Sequence, residues 1–132
     1  MKLYHYCTWQ GREILPLGVL RPSDKYLPGG PPLVWLTENK EWESCIQAMS
    51  DLSFYERGPS NPEKYSEHQI PCWRFEVDIK NLAKLHYTTA GWIPMLKDGI
   101  ELGSDISQWH WSTKSVPIIS SYRWVDNEWR KL

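Results

Sequence analysis

A chain of 132 residues has room for one domain of ordinary size and none for a second. Its 41% hydrophobic residues suffice for a core, at the low end of the globular range. A formal net charge of -1 argues against a generally basic nucleic-acid binder, although a local patch can still bind.

Residues 2–6 read as a first strand, with His5 in its middle. Thr8 is placed to cap a helix over residues 9–17, with Ile14 and Leu15 turned inward. Pro16 can end that helix early, and Gly18 suits the position after its C-cap. Residues 21–32 hold four prolines and two glycines and read as a loop. Residues 33–37 form a short apolar strand. Thr37 or Asn39 then caps a second helix, whose Trp42, Ile46 and Met49 recur on one face.

Residues 54–71 are polar and interrupted by glycine and proline, so they read as a long loop, expected to act as a flexible lid. Residues 72–79 alternate cleanly. Trp73, Phe75, Val77 and Ile79 face one way, and Arg74, Glu76 and Asp78 the other. Residues 81–85 read as a helical turn, 86–88 as a short strand and 90–102 as a broken helix. Residues 103–113 form a loop containing Gln108-Trp109-His110-Trp111-Ser112, in which Trp109 and Trp111 share a side and His110 takes the other. A strand over 116–125, a two-residue turn at Asp126-Asn127 and a return strand over 128–132 close the chain. Strands outnumber helices and the helices come early. The expected fold is therefore α+β: a bent, mainly antiparallel sheet with two early helices packed outside, in a single domain over 1–132.

Nine tryptophans are expected in the core or along a cleft wall, where an indole can stack a base or a nicotinamide. Cys7, Cys45 and Cys72 are odd in number and widely spaced, which argues against zinc and against a disulfide framework. The four histidines show no metal-ligand spacing, so no metal is expected. No apolar leader and no spanning segment is visible. The expected setting is the cytoplasm.

His5 is the first candidate for chemistry. With Tyr4 and Tyr6 turned to the core, strand alternation sends His5 to the opposite face. Thr8 follows at an expected helix N-terminus, which favours an anion. A purely structural histidine in an unrelated α+β domain is the competing reading. Cys7 and His5 also share a strand face, as a nucleophile–base pair requires. Neither a P-loop nor a dinucleotide-binding glycine fingerprint is present.

Tyr4-His5-Tyr6-Cys7-Thr8, the helix with Ile14-Leu15, and Gly18-Val19-Leu20 resemble the opening of the ADP-ribosyltransferase superfamily. In that family a first strand carries a histidine or arginine, followed by a threonine or serine. Pro31-Pro32 and Val34-Trp35-Leu36-Thr37 resemble its second motif, an aromatic-rich strand before another helix. The similarity spans residues 3–49 and, more weakly, 72–79. It points to compact bacterial and phage members, and more distantly to DarT-like toxins and RNA 2′-phosphotransferases.

The resemblance implies a bent, split sheet holding NAD as co-substrate. His5, Tyr6, Thr8, Trp35 and Thr37 would form the NAD site, with His5 on a ribose and Trp35 along the nicotinamide. Trp35 replaces the tyrosine usual there. The family's third motif is a glutamate at the start of a late strand, where it stabilises positive charge developing at C1′. Here Ser115 occupies that place beside Lys114. Glu101 and Asp105, entering from the preceding loop, are the candidate substitutes, so the expected catalytic set is His5, Glu101 and Asp105. Gln108, Trp109, His110 and Trp111 form the expected substrate or partner loop. The implied activity is an NAD-dependent ADP-ribosyltransferase or NAD glycohydrolase acting on a protein or nucleic-acid acceptor. The alternative is a catalytically silent module on that fold, binding a nucleotide, a nucleic acid or a host protein partner.

Overall fold

The computed structural model describes residues 2–23, 32–43, 60–78, 97 and 99–132. Six strands form one antiparallel sheet in the order β5-β3-β1-β4-β7-β8. They are β1 (Lys2–Cys7), β3 (Val34–Thr37), β4 (Trp73–Asp78), β5 (Trp109–Ser112), β7 (Ser120–Val125) and β8 (Glu128–Lys131). A two-stranded sheet pairs β2 (Val19–Leu20) with β6 (Val116–Pro117). Helices bounded within the described residues are short: α1 (Gly11–Leu17), α2 (Pro62–Glu67) and a 3-10 turn at Ile106–Gln108. This is an α+β architecture. No described helix is long and apolar enough to cross a membrane.

β1 pairs with β4 at six positions, from Lys2↔Asp78 to Cys7↔Trp73. The alternation of β4 then sorts both strands onto two faces. Leu3, Cys7, Val34, Leu36, Trp73, Phe75 and Val77 form one core, closed by Leu20 and Val116 of the small sheet and by Ile14 of α1. The opposite face is aromatic. Tyr6 packs there with Trp42, Tyr65, Ile70 and Cys72, flanked by Tyr4, Trp124 and Trp129. Both faces of the central strands are thus covered, and the polar side of β4 is not a simple solvent face: Glu76 is buried and Arg74 half-buried.

Several expectations are corrected. The cap of α1 is Gln10, not Thr8, and it makes no side-chain cap bond. Thr8 instead closes the turn before the helix, its carbonyl accepting from Gly11 N at 3.0 Å. The first residue of the helix sits against an indole. A Cβ on Gly11 would lie 2.1 Å from Trp73 Cγ. Leu15 points outward, Pro16 lies inside the helix, and Gly18 stops it with φ +70°, which glycine adopts without strain.

The expected loop over 54–71 contains α2. Asn61 caps it by accepting from Lys64 N at 2.8 Å, Pro62 occupies its first turn, and Tyr65 is fully buried. The expected loop over 103–113 contains β5, which pairs with β3 at four positions. The expected single strand over 116–125 is two. After Pro117 and a last bond from Ile118 N to Gly18 O at 2.9 Å, the chain leaves β2 and joins β4, with Ile119 N donating to Glu76 O at 2.8 Å. The Asp126-Asn127 turn forms as expected, with φ of 51° and 61°. The remainder of the second expected helix, with Ile46 and Met49, lies outside the described residues, as do Cys45, residues 54–59 and the elements expected over 81–88; of the broken helix expected over 90–102, Lys97 and residues 99–101 are described and are helical.

Candidate functional site

β1 and β3 pair at one described position, Tyr4↔Thr37. Continued pairing would set His5 opposite Leu36 and Tyr6 opposite Trp35. Instead the Trp35 carbonyl takes a hydrogen bond from the His5 ring, Nδ1 to O at 2.8 Å. A side chain therefore occupies the seam between two central strands. The carbonyl can only accept, so Nδ1 carries the hydrogen and Nε2 presents a lone pair. Burial pushes the His5 pKa down, more than the bond to Trp35 raises it, so the ring is neutral. A neutral imidazole with its acceptor fixed can take a hydrogen bond from a hydroxyl.

Trp35 stands next to that ring, with centroids 6.3 Å apart and planes at 69°. Its indole meets Trp109 edge-on at 5.5 Å and lies 6.5 Å from Trp111. Trp35 Nε1 is buried with no hydrogen-bond partner among the described residues. A buried donor left unpaired costs about 1–3 kcal/mol.

Tyr6 and Thr37 are spent internally. Tyr6 is 1% exposed and its hydroxyl donates to Asn39 O at 2.6 Å. The Thr37 hydroxyl donates to the Glu43 carboxyl and accepts from Asn39 N at 3.1 Å. Thr8 is buried, and its hydroxyl lies 3.4 Å from Gln10 Oε1. By strand alternation Tyr6, Trp35 and Thr37 project to the aromatic face and His5 to the other. Of the five residues expected around NAD, His5, Tyr6, Trp35 and Thr37 flank the β1–β3 seam from two faces, and Thr8 lies beyond the end of β1.

The expected acids sit elsewhere. Glu101 and Asp105 are exposed. Asp105 caps the 3-10 turn, its Oδ1 accepting from Ser107 N at 3.0 Å and from Ser107 Oγ at 2.6 Å. The expected substrate loop is corrected too. Trp109 and Trp111 are 1% and 2% exposed, so their rings are core and present no surface. Gln108 accepts from Glu38 N at 3.0 Å. His110 is buried, with Nε2 3.3 Å from a Glu38 carboxylate oxygen.

Two acids escaped the sequence reading. Glu43 is 1% exposed, and burial raises its pKa against the lowering effect of bonds from Thr37, Ser104 and Trp109. Glu38 directly follows β3, keeps about a third of its side chain exposed (33%) and lies beside His110. Alternation from Thr37 puts Glu38 on the His5 side of the sheet. Both lie in a charged run, residues 38–43, that reads as a solvated surface and carries no motif.

The Cys7–His5 pair is not a nucleophile. Burial pushes the Cys7 thiol far up and that of Cys72 up to about 12, so neither is a thiolate near neutral pH.

No protein-family model matches the chain. No curated protein and no solved structure matches it either.

Proposed function

We propose that the chain is an NAD-dependent ADP-ribosyltransferase or NAD glycohydrolase, with NAD as co-substrate and a protein or nucleic acid as acceptor. The observation that carries this reading is His5: a neutral, tautomer-fixed imidazole at the seam where β1 and β3 stop pairing. On this reading the seam is the split of a bent ADP-ribosyltransferase-like sheet. His5 Nε2 accepts from a ribose hydroxyl. The bond from C1′ to nicotinamide breaks, and nicotinamide leaves with the electron pair. Water or an acceptor nucleophile then bonds to C1′ and loses its proton.

The developing cation needs a carboxylate. Glu101 and Asp105 are exposed, and Asp105 is committed to its cap. Glu38 is the better candidate, being about a third exposed and on the His5 side of the sheet. The test is nicotinamide release from NAD by the purified chain, with His5→Ala and Glu38→Gln in parallel. Release lost in both variants supports the reading, and release unaffected by either contradicts it.

A specific observation favours a second reading, a silent binding module. The Glu38 carboxylate lies against the His110 ring, 3.3 Å from Nε2, which crowds it away from a substrate. NAD binding without release would select this reading.

A further inference from the structure

One edge of the six-stranded sheet is open. β8 is the last strand in the order and, among the described residues, pairs with β7 alone. Leu132 N donates to Ser121 O at 2.9 Å, so Leu132 turns its main chain toward β7. Alternation gives Glu128 and Arg130 the same direction. Trp129 and Lys131 therefore turn their N–H and C=O groups outward, where none of the described residues bonds to them. Glu128, Arg130 and Lys131 are exposed. Trp129 is half-buried and held in place, its ring 5.2 Å from Trp124 and 6.1 Å from Trp42 and its Nε1 donating to Glu41 O at 2.9 Å.

An open edge is a template for another strand, and charges along it reject strands that do not match. A second copy of β8 can match. Two copies pairing antiparallel about a two-fold axis keep equivalent faces together, so the axis passes through a residue. An axis at Glu128, Arg130 or Lys131 sets two like charges opposite each other. An axis at Trp129 sets Glu128 of each copy opposite Arg130 of the other, and opposite charges across a strand pair stabilise it. Trp129 also has outward main-chain groups, so each Trp129 N–H can donate to the C=O of the other. Within one chain Arg130 Nε is 2.9 Å from a Glu128 carboxylate oxygen and Nη2 is 3.1 Å from one of Asp126. A guanidinium has five N–H donors, so donors are left for a further carboxylate.

We propose that two copies of this chain dimerise by antiparallel β8–β8 pairing centred on Trp129, which joins their sheets into one. The edge is short, so the interface is smaller than that of a standard stable complex and the dimer is weak and concentration-dependent. The dimer does not depend on the NAD reading: β4 and β7 lie between β8 and β1, which carries His5. Association is therefore measured without NAD.

The experiment is sedimentation velocity of the full chain over a wide range of concentration, at low and high salt. Monomer is expected at low concentration and dimer as it rises, with salt weakening the dimer because its charge pairs are exposed. Glu128→Arg and Arg130→Glu, both at exposed positions, each set like charges opposite one another and should weaken the dimer roughly 10-fold or more. The double reversal, Glu128→Arg with Arg130→Glu, restores opposite charges and should regain most of that loss. Amide hydrogen exchange is a second readout that needs no variant. Exchange at Trp129 should slow as the dimer fills, while Arg130, whose N–H faces β7, is protected throughout. A chain that stays monomeric at every concentration overturns the proposal and leaves the edge to a different strand. A dimer that both single reversals leave intact, that the double reversal fails to restore, or that leaves Trp129 exchange unchanged also overturns it.

Discussion

The Glu43 carboxyl rests on the Thr37 hydroxyl, and both side chains are sealed from solvent. The contact ties the segment after β3 back onto the sheet at the one described position where β1 and β3 pair. It is also a titratable weak point. Burial raises the Glu43 pKa in the folded chain above its ordinary value, with Asp105 adding to the rise. The protonated form is thus the one folding favours. Its contribution is fully present below the unfolded pKa and is lost as pH rises through the folded one.

Stability should therefore fall as pH climbs upward from the ordinary carboxylate range, and Glu43→Gln should remove that part of the slope. Urea denaturation at a series of pH values measures it. Equal slopes in the two proteins would show that Glu43 does not titrate in this way.

Gly11→Ala should destabilise the chain, because the new methyl would enter the Trp73 ring. Overpacking of this kind costs about 1–3 kcal/mol. A thermal melt with near-ultraviolet circular dichroism reads both the loss and the disturbed indole. An unchanged melt would mean that α1 shifts freely off β4.

Cys7 and Cys72 should resist alkylation in the folded chain near neutral pH, since burial both hides them and raises their pKa. Peptide mapping after iodoacetamide treatment, with and without denaturant, separates them from Cys45. Rapid labelling of Cys7 in the native chain would revive it as a nucleophile.

The acids can be separated by effect. Asp105→Ala removes a cap and should cost about 0.5–2 kcal/mol of stability. Neither Asp105→Ala nor Glu101→Gln should change nicotinamide release. Glu38→Gln should lower it roughly 100-fold, the scale of losing one group that stabilises transition-state charge. Parallel rates and melts of the three variants decide this, and a loss confined to Glu101→Gln would restore the surface acid.

How much was legible in the sequence depended on whether the signal was local. β4 was readable because Trp73, Phe75 and Val77 alternate with Arg74, Glu76 and Asp78 over a full strand. The β7–β8 hairpin was readable because Asp126-Asn127 tolerates positive φ. β5 was not, since its four residues owe their strand geometry to pairing with β3 and sit between turn-forming residues. Helix α2 carried a readable signal, Asn61 followed by Pro62, that surrounding prolines and glycine obscured. At the site, His5 stood out because an ionisable ring in an apolar strand is rare. Glu38 and Glu43 did not, because their roles come from His110 and Thr37, partners that only the folded chain brings near.

The central claim is that His5 holds NAD for cleavage at the β1–β3 seam. It is tested most directly by nicotinamide release from NAD, by the unaltered chain and by His5→Ala, with DNA, RNA or cell extract as acceptor. The account predicts release by the unaltered chain and its loss in the variant, with both proteins melting cooperatively. Release that persists in a folded His5→Ala protein, or no release with any acceptor, would contradict it.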